Sequence, residues 1–222
     1  MSEPADVPTG ADERVQPGFI DPDVAEELPG LMLRWAPVDR GSGRSNRALR
    51  ERLAILSDRF GGPQAIELRQ RPIPWAYRVF FRHIGLDPDQ QPTPVEALAL
   101  ERLRKGGFVS YSLLDDALTI AIMESGVALQ AFDGDNVEAP LGIRPSAPGE
   151  ALDGRPGELP PGTLVIADAN EPIALLFGAV GSGRGVSKRT KRMVVISLQV
   201  SGVPDIAVEE ALWLLFEALE SN

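Results

Sequence analysis

The chain has 222 residues, a formal net charge of −10, no cysteine and a single histidine. Those absences exclude disulfides, thiolate nucleophiles, Cys/His zinc sites and multi-histidine metal centres, so no metal or cofactor is expected and any chemistry must come from carboxylates, hydroxyls, amides or the backbone. The overall charge speaks against a protein that coats nucleic acid, DNA included, so any contact with a polyanion has to be local.

Residues 1–30 hold eight acids and one arginine, and the opening "MSEPADVPTGADERVQPG" is proline-rich and almost free of apolar periodicity. This composition predicts an acidic disordered tail over residues 1–18, followed by one domain over 19–222. The start does not read as a signal peptide, and no apolar run approaches the roughly 18 residues of a membrane span. A cytoplasmic location without membrane contact is therefore expected.

"LMLRWAPVD" (31–39) reads as a strand, and "SNRALRERLAILSDRFG" (45–61) as a helix with Ser45 as its cap and Leu49, Leu53 and Leu56 on one face. A second helix is expected over Pro74 to His83. A third opens at "TPVE", where Thr93 caps, Pro94 takes the first helical position and Glu96 completes a capping box; it should stop at Gly106 and Gly107. "SLLDDALTIAIMESG" gives one more helix. Short strands follow at 127–132, 141–145, 163–168, 172–178 and 192–200, with a hairpin turn at Ala169 to Glu171 and a long loop at 146–162. "PDIAVEEALWLLFEALE" closes the chain as a helix capped by Asp205. Runs of helices beside runs of strands predict an α+β fold with a mixed or antiparallel sheet and flanking helices.

Two segments are basic. Residues 40–82 carry ten arginines against Glu51, Asp58 and Glu67, and "GAVGSGRGVSKRTKR" (178–192) carries Arg184, Lys188, Arg189, Lys191 and Arg192 without an acid. The glycines of the second segment match neither the phosphate loop G-x-x-x-x-G-K-[ST] nor the dinucleotide pattern G-x-G-x-x-G, and the next element reads as a strand. What remains is a flexible backbone leading into clustered positive charge, suited either to a polyanion backbone or to an exposed solvated turn. Asp115 and Asp116 are adjacent on a helix and cannot face each other as an acid–base pair. "FDGDN" reads as a turn, and His83 as a structural or surface histidine.

In order, "YRVFFRHIGLDPDQQPTPVEALALERL" (77–103), "LLDDALTIAIMESGVALQAFD" (113–133), "APGEALDG" (147–154) and the segment 163–199 resemble the B3/B4 domain, the editing domain of the phenylalanyl-tRNA synthetase beta subunit, and its free-standing relatives. Asp116, Ala131, Phe132, Asp133, Gly178, Gly181, Val186 and Thr190 keep the family pattern. The resemblance implies an α+β module that hydrolyses a mischarged aminoacyl-tRNA ester by substrate-assisted water attack, with tRNA or its acceptor end as the partner.

Carried over by position, the family's Thr and Asn fall on Leu118 and Thr119, its His on Gln130, and its glycine loop on Gly178, Gly181, Ser182 and Gly183, with no acid where the family reads the tyrosine hydroxyl. The resemblance thus implies catalytic candidates Thr119 and Gln130 and a substrate pocket of Leu118, Thr119, Gln130, Phe132, Gly178, Gly181, Ser182 and Gly183. Arg184, Lys188, Arg189, Lys191 and Arg192 are the implied RNA contacts. The replaced polar positions leave a second expectation beside the first: a non-catalytic protein that binds RNA, another protein or a small ligand.

Overall fold

The computed structural model describes residues 13–221. In chain order the elements are β1 (Gln16–Pro17), β2 (Phe19–Ile20), α1 (Pro22–Glu27), β3 (Met32–Val38), α2 (Arg47–Arg59), α3 (Gly62–Leu68), α4 (Pro72–His83) and α5 (Pro94–Lys105). They continue with α6 (Leu113–Ser125), β4 (Ala128–Asp133), β5 (Gly142–Pro145), β6 (Leu164–Ala167), β7 (Pro172–Leu175), β8 (Met193–Gln199) and α7 (Asp205–Glu220).

Two four-stranded sheets result. One is antiparallel with order β1-β3-β8-β4, and the other is mixed, β2-β5-β6-β7, with β2 parallel to β5. The expected α+β class holds. Every residue of β8 is buried, Ser197 and Gln199 included, as befits a strand flanked on both sides, and Val195, Ile196 and Leu198 join one core with Ala117, Ile120 and Leu215 of α6 and α7. Helix α6 ends as its sequence directs: Ser112 Oγ accepts the Asp115 amide at 3.1 Å at the start, and Gly126 takes a left-handed φ of 78° at the end.

Four local expectations are corrected. The cap of α2 is Asn46, whose Oδ1 accepts the Leu49 amide at 2.8 Å; Ser45 is buried and its hydroxyl donates instead to Asp116 Oδ2 at 2.5 Å. Asp205 is the first residue of α7 rather than its cap, because its carboxylate turns back to accept Gln199 Nε2 at 2.7 Å and Arg34 Nη2 at 3.3 Å. Helix α3 went unread because Gly61-Gly62-Pro63 looks like a break; Pro63 lies in its first turn, where a missing N–H costs nothing, and Gln64 Oε1 accepts the Gly61 amide at 3.0 Å. The tail does not extend to Gly18. Residues 1–12 lie outside the described part, but Gln16 and Pro17 pair with Trp35 and Arg34, and the Gly18 amide donates to Leu33 O at 2.8 Å. A side chain at position 18 would meet Leu33 Cδ2 at 2.5 Å, so the strand needs glycine to lie flush on β3.

The "YR-x-F" and "PVEAL" segments build the frame around the glycine loop. Tyr77 is buried, donates its hydroxyl to Leu198 O at 2.5 Å and accepts the Ala128 amide at 3.1 Å, which locks α4 to β8 and β4; burial pushes its hydroxyl pKa well up. Arg78 Nη1 meets Glu96 Oε1 at 2.7 Å with both side chains almost fully buried. The other oxygen of Glu96 accepts the Thr93 amide at 3.1 Å and the Thr93 hydroxyl at 2.8 Å, so the capping box of α5 is also the counterion of α4. The rings of Tyr77, Phe80 and Phe81 surround Phe177 at centroid distances of 6.0, 5.9 and 4.9 Å, and hold this residue at a φ of 56°, a left-handed value uncommon for phenylalanine.

Candidate functional site

The glycine loop joins the two sheets. The Gly181 amide donates to Ile173 O at 2.8 Å on β7, and the Asp133 amide at the end of β4 donates to Arg184 O at 2.8 Å. Four of its N–H groups are engaged internally: Gly178 to Leu175 O, Gly181 to Ile173 O, Ser182 to Asp153 O and Arg184 to Gly181 O. Gly183 has a φ of 80° and is exposed at the bend.

The five cations of this region divide into two kinds. The Arg184 guanidinium is largely buried among carboxylates, hydrogen-bonded to Glu171 and Asn136 O, with Asp168 at 3.6 Å and Asp153 at 3.7 Å. Arg192 is exposed and donates to Asp135 Oδ1 from Nε at 2.8 Å. Lys188, Arg189 and Lys191 are exposed, and none of them has a carboxylate partner among the described residues. Their turn is rigidly seated. Thr190 Oγ1 donates to Asp133 Oδ2 at 2.6 Å and accepts the Ser187 amide at 3.0 Å, while Ser187 Oγ accepts the Arg189 amide at 3.1 Å. Behind the turn, Gly41 packs so closely that a Cβ there would meet Thr190 O at 2.2 Å.

Arg47, Arg52, Arg59, Arg69 and Arg78 of the basic segment 40–82 are compensated. Arg52 bridges Glu124 at 2.8 Å and Glu217 at 2.7 Å, Arg47 pairs with Glu51 at 2.7 Å, and Arg69 and Arg78 share Glu96 and Asp89. Acids from outside the segment, invisible to a local charge count, supply most of those partners. His83 is exposed at the end of α4.

The substrate-pocket residues implied by the resemblance fall into four places. Leu118 and Thr119, half-buried on α6, line a cavity of about 580 Å³ between α5, α6 and residues 107–111. Gly178 lines another of about 680 Å³, together with His83, Gln91 and Arg155. Gln130 is half-buried on β4, opposite Ile196, and lines neither of these two; Phe132, on the same strand, is fully buried. Gly181 is buried against Ile173 O, with Ser182 and Gly183 exposed beside it.

The cavity at Thr119 also has walls that residue patterns did not flag. Ser57, at the end of α2, fixes two of them: its carbonyl accepts Arg102 Nη2 at 3.0 Å and its hydroxyl accepts the Phe108 amide at 3.0 Å. "GGFVSY" (106–111) read only as a helix stop, yet a pair of glycines followed by Phe108, Val109 and Tyr111, the last two exposed, is an apolar cluster without a helix or strand to bury it. Asp116 has a structural role, accepting from Ser45 Oγ and Ser110 Oγ at 2.5 Å each and from the Tyr111 amide at 3.1 Å, so it ties this segment to α6. Among the described residues no group of acids or histidine is arranged to hold a metal ion, and no helix is long and apolar enough to cross a membrane.

Residues 76–207, from α4 into the first turn of α7, match the B3/4 domain. The chain is similar to the phenylalanine–tRNA ligase beta subunit of Xylella fastidiosa (strain 9a5c), 37% identical over 127 residues that make up 56% of this chain and 15% of that subunit. It is likewise similar to the subunit of Xanthomonas oryzae pv. oryzae (strain MAFF 311018), 38% identical over 116 residues, 51% of this chain and 14% of that subunit. The subunit of Pasteurella multocida (strain Pm70) is 35% identical over 111 residues, 48% of this chain and 14% of its own length. This chain therefore covers only a small part of these relatives. With every implied site position inside the matched segment, and that segment more than half of its length, the chain belongs to the B3/4 domain family.

Proposed function

We propose that this B3/4 protein binds the acceptor end of a tRNA and grips its phosphates with the turn that carries Lys188, Arg189 and Lys191. The observation that carries the reading is the contrast within one segment: these three cations stand exposed and uncompensated on a turn pinned from behind by Thr190 and Asp133, while Arg184 beside them is neutralised. A fixed cluster of unpaired cations on an otherwise acidic protein is what a local phosphate contact requires. The family relationship to phenylalanine–tRNA ligase beta subunits supports tRNA as the RNA class.

The finer reading is hydrolysis of a mischarged aminoacyl ester, with Thr119 and Gln130 orienting water or the ester, the 178–185 loop as a wall and the tRNA's terminal hydroxyl assisting. The engaged amides of the loop, and the placement of Thr119 and Gly178 in different cavities, favour the second reading: binding without hydrolysis.

Gel-shift titration of tRNA at low salt tests the binding, and a deacylation assay over a panel of mischarged tRNAs tests the hydrolysis. The triple variant Lys188→Glu, Arg189→Glu, Lys191→Glu should lose the shift, and the wild-type salt slope should exceed that of a triple glutamine variant by about 2. A wild-type protein that shifts no tRNA at low salt ends the RNA reading; one that shifts tRNA and deacylates none leaves binding alone.

A further inference from the structure

We propose that residues 1–13 are an intramolecular ligand of the basic turn: carboxylates among Glu3, Asp6, Asp12 and Glu13 occupy Lys188, Arg189 and Lys191, and a polyanion has to displace them. The contact stands independently of the RNA reading; the competition rests on it.

Strand register brings the two segments to one end of one sheet. β1 is antiparallel to β3, with Gln16 opposite Trp35, and β3 is antiparallel to β8, with Trp35 opposite Ile196 and Val38 opposite Met193. Followed backwards from Gln16, the chain therefore heads for the Val38–Met193 end of the sheet, where Lys191 and Arg192 lead into β8. With strands about 4.8 Å apart and about 3.3 Å per residue, Gln16 stands roughly 15–20 Å from Arg192. Side chains tie this end together: Arg14 donates to Glu220 at 2.6 Å, Arg40 donates to Leu219 O, and Gly41 packs against Thr190 O within the turn. Twelve residues reach up to about 40 Å, which is ample for the acids before Glu13 to meet the turn.

Charge decides what the segment does there. Residues 1–12 contain Glu3, Asp6 and Asp12 and no lysine or arginine, and Glu13 beside them is exposed. Two acids next to the turn are already committed, Asp133 to Thr190 and Asp135 to Arg192. The three cations thus have no carboxylate partner among the described residues, while an acidic stretch begins at the same end of the sheet. Tethering gives that stretch a local concentration on the order of millimolar, so that ion pairs which are weak singly on an exposed surface act together. A second copy of the chain would offer the same acids without that advantage.

Carbodiimide coupling of the full chain, which makes an amide only where a carboxylate meets an amine, tests the contact by mass-spectrometric mapping. Links from Lys188 or Lys191 to Glu3, Asp6, Asp12 or Glu13 are expected within single chains at low salt, and should disappear at about 1 M salt, where screening acts over about 3 Å. The variant Glu3→Gln, Asp6→Asn, Asp12→Asn, Glu13→Gln tests the competition: it should bind tRNA about threefold or more tightly than the unaltered chain at low salt, with the advantage lost at high salt. The links on the unaltered chain stand even where the variant fails to fold. Absence of the links at low salt overturns the proposal, as do links confined to pairs of chains, which would assign the turn to a second copy. Links combined with an unchanged tRNA affinity in the variant overturn the competition. A chain that shifts no tRNA with or without its four acids ends the RNA reading instead, and the links alone then decide the contact.

Discussion

The Thr190 hydroxyl donates to Asp133 Oδ2 at 2.6 Å across 57 residues of sequence, with both side chains buried. Asp133 Oδ1 accepts the Asp135 amide at 3.1 Å, so one carboxylate organises the "FDGDN" turn and the basic turn together. Thr190→Val removes the bond and leaves a buried carboxylate oxygen short of a donor, at a cost of about 1–3 kcal/mol. Urea unfolding should show a lower midpoint with unchanged slope, and tRNA binding should weaken without a change in salt slope, because the three cations remain. An unchanged midpoint would show that the bond does not hold the turn.

Arg184 is the counter-case to its neighbours. Its guanidinium ties the glycine loop to Asn136 O, Asp168, Glu171 and Asp153, so Arg184→Gln leaves Asp168, itself buried, facing the other carboxylates without their cation. The expected result is a loss of stability of roughly 2–4 kcal/mol, at the scale of breaking a partly buried ion pair, with the salt dependence of RNA binding unchanged. Should the variant lose salt dependence as is expected of the triple glutamine variant, Arg184 contacts phosphate and its carboxylate cage opens on binding.

These two residues also show how far the sequence can be read. The helices with explicit signals, Ser112 at the start of α6 or Thr93-Pro94-Glu96 at the start of α5, lie where their capping chemistry puts them. The caps of α2 and α7 are not legible because Ser45 and Asp205 have partners, Asp116 and Gln199, that compete for the side chain over 71 and 6 positions. Charge clustering in sequence marked five cations at 184–192. Only the fold distinguishes Arg184, caged by acids from the 146–162 loop and the β6–β7 turn, from Lys188, which faces solvent. The same holds within the basic segment 40–82, where Arg52, Arg59, Arg69 and Arg78 find their counterions Glu96, Glu124 and Glu217 on α5, α6 and α7. Arg102 carried no signal at all, since an arginine in the last turn of a helix is what the helix dipole favours anywhere.

The Arg78–Glu96 pair should behave as a unit. Glu96→Gln removes the charge that balances Arg78 and reaches Arg69 Nε at 3.1 Å, and weakens the α5 cap at the same time. A cost of about 3–5 kcal/mol is expected for Glu96→Ala or Arg78→Ala alone. The double variant should cost clearly less than the sum, because neither charge is then stranded. Denaturant titration of the four proteins measures the coupling, and additivity would mean that the pair is not desolvated in solution.

The loop at 146–162 gives the protein an acid-sensitive contact. Arg144 donates to both oxygens of Glu150 at 2.7 Å, and the Ala147 amide adds a third bond at 2.7 Å. The hydrogen bond from Arg144 holds the Glu150 carboxyl below the ordinary glutamate range, against a smaller opposing effect of burial. With the folded pKa lower than the unfolded one, the unfolded chain binds the proton first as the pH drops. The contribution of Glu150 is therefore fully present above about pH 4.3, the unfolded value, and is lost as the pH falls towards and through its folded pKa. Glu150→Gln should lower the urea midpoint at pH 6, and the gap to the unaltered protein should close progressively as the pH falls below about 4.3. A gap that stays constant across this range would place the loss in the geometry of the loop rather than in the ionisation of Glu150.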